Sequence, residues 1–361
     1  MADVVRVGLV GASAARSGWS SVAHIPALHT ADGIELAAVC TSRPESAAAA
    51  GEAYGVRSFH DVRDLAAQED IDAVSVVVRV PKHHELVMAA LNAGKHVFSE
   101  WPLGANLAEA QEMTTRARST GVVTAVGLQG RHDPSLTYIK QLHAEGWFGQ
   151  IVAVNVTMMG GGALAHSSAD AWMGIKANGA NFMTIVGGHT LDAITHCLGP
   201  FAELSASVAT QVPEWQLSDT GETIPVDAPD SVIVNGTLVG GAIVSLHAAS
   251  VPNNATGWRM EIYGTKGTTI ASTSGLPQIT PVKLSGARGS DALEELTLPA
   301  GLSDRFPDGP PGNVGRAYQH MAAAIREGRS FSPDFAHAES VHRLLNLIEQ
   351  SSAEGLSVSV S

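Results

Sequence analysis

The chain has 361 residues, 45% of them hydrophobic and 16% charged, with a formal net charge of −13. That length suits two domains rather than one core, and the acidic balance argues against nucleic-acid or anionic-membrane partners, which need clustered Lys and Arg. Two cysteines, Cys40 and Cys197, make no disulfide framework and predict a reduced, cytoplasmic setting. No signal-peptide pattern is present, and no apolar run approaches the roughly eighteen residues of a membrane span.

The first third alternates strand and helix. Residues 4–10 predict a strand, followed by a Gly/Ser-rich turn, a helix over 21–30 and a buried strand over 34–40. An Ala-rich helix over 44–54, a short strand over 57–59 and a helix over 62–68 follow. Residues 71–78 (IDAVSVVV) form an almost unbroken apolar run, as a central parallel strand covered on both faces requires. Helix 81–93, strand 96–99, helix 107–120 and strand 122–128 complete a doubly wound parallel sheet. Past residue 130 the rhythm changes. Helices are predicted over 138–146 and 180–198. Strands with a period near two fall at 151–158, 201–210, 230–238, 242–249, 258–263 and 267–272. These imply a large open, mostly antiparallel sheet with one exposed face. Residues 284–312 look irregular, and helices over 314–327 and 333–351 close the chain. The expected division is a dinucleotide-binding domain over 1–128 and a substrate-binding and oligomerisation domain of α+β type over 129–361.

The turn Gly8-Leu9-Val10-Gly11-Ala12-Ser13-Ala14-Ala15-Arg16-Ser17-Gly18 joins the first strand to the first helix. Glycine lets backbone approach a pyrophosphate, which the helix N-terminus attracts. Gly11, Ser13, Ala14 and Gly18 are therefore cofactor candidates, against the alternative of a ligand-free glycine-rich turn. At the end of the second strand, where an NAD site usually carries a carboxylate, stand Thr41, Ser42 and Arg43. Two hydroxyls and a guanidinium suit a 2′-phosphate, which favours NADP over NAD; the alternative for Arg43 is a solvated residue leading the next helix.

Val80-Pro81-Lys82-His83-His84, Gly94-Lys95-His96-Val97 running into Glu100-Trp101-Pro102, Arg131-His132-Asp133-Pro134 and Gly188-His189-Thr190-Leu191-Asp192 occur in order along the chain. With the first turn, they resemble the glucose–fructose oxidoreductase / inositol dehydrogenase (Gfo/Idh/MocA) family. The Gly18-Trp19 loop end, the Glu-Trp pair and Leu128 to Arg131 are most similar to a subgroup of the fungal galactose-regulon repressor and its bacterial relatives. The resemblance implies a Rossmann domain, a second domain whose sheet makes a homodimer or homotetramer contact, and a substrate site between domains. It adds Trp19, Val80, His84, Glu100 and Trp101 to the cofactor candidates. It also implies a catalytic lysine, aspartate and histidine. Carried over, the lysine falls on Trp101, which exchanges no proton near neutrality, the aspartate on Ile185, and only His189 remains.

On a regular helix over 180–198, Ile185, His189, Asp192 and His196 share a face. His189 is the candidate acid/base, and Asp192 could orient its ring; the alternative is a buried pair that only packs. Gln129, Arg131, Lys176, Asn181, Asp192 and Trp101 are candidate substrate contacts, Lys176 being the nearest cation in sequence to the missing lysine or else a solvated loop residue. The histidines lack metal-ligand spacing, so no metal is expected. Two readings follow. One is an NADP-dependent oxidoreductase of a sugar, polyol or related carbonyl compound. The other is a catalytically silent NADP-binding regulator acting through protein contacts.

Overall fold

A computed structural model describes residues 4–15, 18–302 and 306–360. Arg16 and Ser17 of the first turn lie outside them. The chain forms two compact units: Met1–Gln129 with Phe306–Ser340, and Gly130–Arg305 with Val341–Ser361.

The first unit is a six-stranded parallel sheet. Its strands are β1 (Val5–Val10), β2 (Ile34–Cys40), β3 (Arg57–Phe59), β4 (Ala73–Val76), β5 (His96–Ser99) and β6 (Thr124–Val126), in the order β3-β2-β1-β4-β5-β6. This is the order of a doubly wound dinucleotide fold, with its switch between β1 and β4. Helices α1 (Ile25–Thr30), α2 (Pro44–Tyr54), α3 (Val62–Ala66), α4 (His83–Asn92) and α5 (Leu107–Thr120) connect the strands. The stretch expected as one helix over 21–30 opens instead with a π-turn, Ser20–His24, ahead of α1. Val7, Leu9, Val74, Val76, Val97 and Phe98 are fully buried, as apolar strands covered on both faces must be.

The expected boundary of 129–361 for the second domain needs correction. Helix α8 belongs to the first unit. Before it in chain order, the second unit carries α6 (Pro134–Ala144) and α7 (Gly188–Leu198), and α8 spans Pro310–Glu327. Val314, Ala317, Tyr318, Met321 and Ala322 lie at helical spacing and are buried in the first unit's core. A return of this kind leaves no mark in local pattern, because the surface it covers lies some three hundred residues earlier. Helix α9 (Phe335–Glu354) follows.

The second unit is built on a nine-stranded sheet. Its strands are β7 (Ile151–Gly161) and β8 (Phe201–Ala209), then β11 (Ser231–Leu238), β12 (Ile243–Val251), β13 (Gly257–Gly264), β14 (Gly267–Thr273), β15 (Lys283–Arg288), β16 (Glu294–Glu295) and β17 (Val358–Ser359). A separate hairpin consists of β9 (Glu214–Gln216) and β10 (Thr223–Pro225). The sheet order is β16-β15-β14-β13-β7-β12-β11-β8-β17, and only β7 and β12 pair in parallel. Val154, Val156, Val234, Leu246, Met260 and Ile262 make its buried face. On the opposite face Asn155 and Arg259 both bond Glu261, at 3.1 and 2.7 Å. The region 284–312 is less irregular than its composition suggests, since β15 and β16 fall within or beside it.

Candidate functional site

In the first unit the carboxyl ends of β1, β2 and β4 surround a cavity of about 560 Å³. Gly11, Thr41 and Ser42 line it, as the sequence predicts. Gly11 has φ +102, and a Cβ there would collide with the Val77 carbonyl, so only glycine fits this close turn. Its N–H donates to Cys40 O (2.9 Å), and its carbonyl accepts from Ser20 Oγ (2.9 Å). Ser13 is held through its carbonyl by Tyr54 Oη (2.7 Å), while Ala14 and Gly18 are exposed on the same loop. Trp19 is half-buried, and its Nε1 finds no acceptor among the described residues.

Two of the cofactor candidates are placed differently from expectation. Arg43 caps α2 and is exposed, outside the cavity wall. His84 points to the surface and pairs with Glu112 at 2.8 Å, because it is its neighbour His83 that turns inward on α4. Cations that the sequence pattern did not single out, Arg63, Arg79 and Lys82, line the cavity instead, three positive charges against the carboxylates of Asp61 and Glu85. Arg79 and Lys82 flank the buried Val80 of a quoted motif, so proximity to it was the available signal. These residues and Gly11 fit an anionic dinucleotide.

Glu100 and Trp101 stand at the end of β5. Trp101 is buried, 5% exposed. Glu100 occupies space that Gly127 leaves open, where a Cβ would meet its carboxylate. Its Oε1 lies 2.9 Å from His24 Nε2, and His24 Nδ1 lies 2.7 Å from Tyr318 Oη. Tyr318 donates onward to Ser75 Oγ (2.9 Å), so its oxygen must accept from His24 Nδ1. His24 thus links the Tyr318 hydroxyl to the Glu100 carboxylate. Burial pushes the Tyr318 phenol well above its ordinary range, which keeps it a donor. His83 is also fully buried, between Val78 O and Pro102 O at 2.9 Å each. Burial holds its imidazole below the ordinary range, against the pull of those carbonyls. Neither His24 nor Tyr318 was singled out from sequence.

In the second unit the segment expected as one helix is a π-turn, Met183–Gly187, followed by α7. A π-turn carries an extra residue, which shifts the phase between Ile185 and His189. Ile185 lines a cavity, whereas His189 is buried in the first turn of α7. Asp192, expected beside His189, makes a bidentate pair with Arg131. Arg131 Nε donates to both carboxylate oxygens (2.9 and 3.0 Å), and Nη2 lies 2.9 Å from Oδ1. Both side chains are largely buried, which makes the pair a structural element as well as a candidate contact. Asn181 is buried, and its Oδ1 accepts from Thr184 N–H (3.0 Å) at the start of the π-turn. Lys176 is half-exposed and pairs with Glu349 at 3.0 Å, so it does not replace the missing lysine. Gln129 is buried in the first unit, with no partner for its Oε1 among the described residues.

Burial pushes the Cys40 thiol up to about 12 and Cys197 higher still, so neither supplies a thiolate. Among the described residues no group of three or more His, Cys, Asp or Glu could hold a metal ion, and no helix is long and apolar enough to cross a membrane.

Residues 5–128 match the model of an oxidoreductase family with an NAD-binding Rossmann fold, and residues 134–272 match that of the Gal80p C-terminal domain. The dehydrogenase aclE of Aspergillus oryzae is 38% identical over 248 residues, 66% of this chain and 68% of that protein. The chain belongs to the Gfo/Idh/MocA oxidoreductase family. Within this family it is similar to the galactose/lactose metabolism regulatory protein GAL80 of Saccharomyces cerevisiae, 26% identical across 99% of this chain and 94% of that one. A levoglucosan dehydrogenase solved with NADH and levoglucosan has the same fold, at 24% identity, a TM-score of 0.88 and coverage of 99% and 100%. A dehydrogenase and a regulator thus stand together among the Gfo/Idh/MocA relatives of this chain.

Proposed function

We propose that the protein is a cytoplasmic NADP-dependent oxidoreductase with His189 as acid/base. It interconverts a carbinol and a carbonyl compound, in the broad class that spans sugars, polyols and related carbonyl compounds. The observation that carries this reading is the first unit's cavity, closed by a glycine that tolerates no Cβ and rimmed by Arg63, Arg79 and Lys82. Three cations against the two carboxylates of Asp61 and Glu85, with the Thr41 and Ser42 hydroxyls and no carboxylate at the end of β2, suit a 2′-phosphate better than a bare ribose.

When bound, the nicotinamide takes up or returns a hydride, which leaves one hydroxyl proton for the protein to handle. His189 accepts that proton in oxidation and returns it in reduction, as an imidazole does near neutrality. Trp101 packs at the lysine position and moves no proton. The Arg131–Asp192 pair fixes the α7 face that carries His189, so positioning supplies part of the acceleration a second base would give. A homodimer or homotetramer forms through the outer face of the second unit's sheet, where Ile243 and Tyr263 flank Ala153 in register and stand exposed.

The second reading, a silent NADP-binding regulator, draws on Ile185 at the family's aspartate position. Assay of sugars, polyols and simple ketones with NADP and with NAD, followed by absorbance of the reduced cofactor, separates the two. Turnover preferring NADP is expected. Tight NADP binding without turnover on any substrate contradicts the enzyme.

A further inference from the structure

The cavity that Ile185 lines measures about 190 Å³. An apolar cavity of about 150 Å³ holds a benzene ring, so this one has room for a six-membered ring with a small substituent. Met173, Phe182, Ile185, Val186, Trp215 and Val226 wall it. Its polar groups are mostly engaged by the protein itself. Both Asp230 oxygens accept backbone N–H groups, from Gln211 (2.7 Å) and Val212 (2.8 Å). Asn181 Oδ1 is taken by Thr184 N–H. The His166 ring is stacked on Trp215, with centroids 3.5 Å apart and planes 12° apart, and burial keeps it below its ordinary range.

A polyol entering this space would bury most of its hydroxyls against aliphatic and aromatic carbon, since the polar side chains among the lining residues are His166, Asn181, Asp230 and Ser250 alone. Each hydroxyl left without a partner weakens binding by roughly tenfold. An apolar ring loses nothing and gains the burial of both faces.

We propose that this cavity binds the apolar six-membered ring of the substrate, which is therefore an aryl- or cyclohexyl-bearing alcohol or carbonyl compound and not a polyhydroxylated one. The word "substrate" rests on the hydride-transfer reading; the binding preference stands without it. Ile185 is the residue that sets the preference, since a carboxylate there would restore a partner for hydroxyl groups and desolvate unfavourably beside an apolar ring.

The test is calorimetric titration of the full chain, with and without NADP, using cyclohexanol and benzyl alcohol against myo-inositol and glucose. The ring alcohols are expected to saturate the protein and the polyols to bind at least tenfold more weakly. Ile185→Asp should weaken ring binding at least tenfold. Ile185→Ala, which keeps the wall apolar, should retain the ring preference and guards against a folding defect in the first variant. Ring binding without turnover of any compound sinks the hydride reading and leaves this inference standing. Preferential polyol binding, equal binding of the two classes or binding of neither overturns the inference, whatever the turnover.

Discussion

The two histidine-bearing clusters are built in opposite ways. In the first unit, Glu100, His24, Tyr318 and Ser75 form a continuous chain of hydrogen bonds. In the second, charge is settled within the fold, Arg131 against Asp192, and the cavity that Ile185 lines is walled mainly by carbon. The nucleotide-binding half keeps a polar network at the end of β5 beside the substituted Trp101. The other half carries Ile185 where the resemblance implies an aspartate. The difference teaches that polarity is distributed unevenly between the units: it is concentrated at the end of β5 and sparse around Ile185.

Breaking the second unit's ion pair should give the largest effect. Arg131→Ala takes the bidentate guanidinium away from the buried Asp192 carboxylate, which should cost about 3–5 kcal/mol, read as a fall in the urea midpoint. A loss under about 1 kcal/mol would mean that the pair is solvated and the contrast between the units overdrawn. In the first unit, Gly11→Ala forces a side chain onto the Val77 carbonyl at φ +102. NADP affinity should drop at least about tenfold, one such factor being about 1.4 kcal/mol; unchanged binding in a titration would place the nucleotide elsewhere.

Tyr318→Phe removes the link between His24 and Ser75 and keeps the ring against Phe98 (centroids 4.8 Å apart). A destabilisation of about 1–2 kcal/mol is expected, and a neutral result would show that the polar chain is incidental. The smallest effect concerns pH. His83 is held neutral by burial, so its folded pKa lies below the ordinary 6.5. The unfolded chain binds a proton below 6.5 that the fold refuses. Stability is therefore full above that value and falls as pH drops through it toward the folded pKa. His83→Gln should flatten the melting temperature across that window, by the equivalent of about 1.4 kcal/mol for each tenfold loss of proton affinity on folding. An unchanged slope would assign the acid loss to other groups, His96 among them, whose pKa burial also lowers.

The parallel sheet was legible because its central strands β1, β4 and β5 are buried on both faces and helices α2 and α5 end in the glycines Gly55 and Gly121. Strands 34–40, 57–59 and 96–99 coincide with β2, β3 and β5. The strand β15 was missed because Gly286 stands at a buried position, packed against Leu296, and carries no side chain to mark the alternation. At the site, Gly11, Thr41 and Ser42 were readable from their place after strands. The Tyr318–His24 bond was not, since its partners are 294 residues apart. Nor could periodicity separate a π-turn from an α-helix over 183–187.

In the proposed reaction, His189 is the group that handles the proton. The most direct test of its role measures, on one preparation of His189→Ala, both turnover of the best substrate and the affinity for NADP. Turnover lowered by about 10²–10⁴-fold with NADP affinity unchanged is the predicted result; turnover within about tenfold of the parent chain would contradict it.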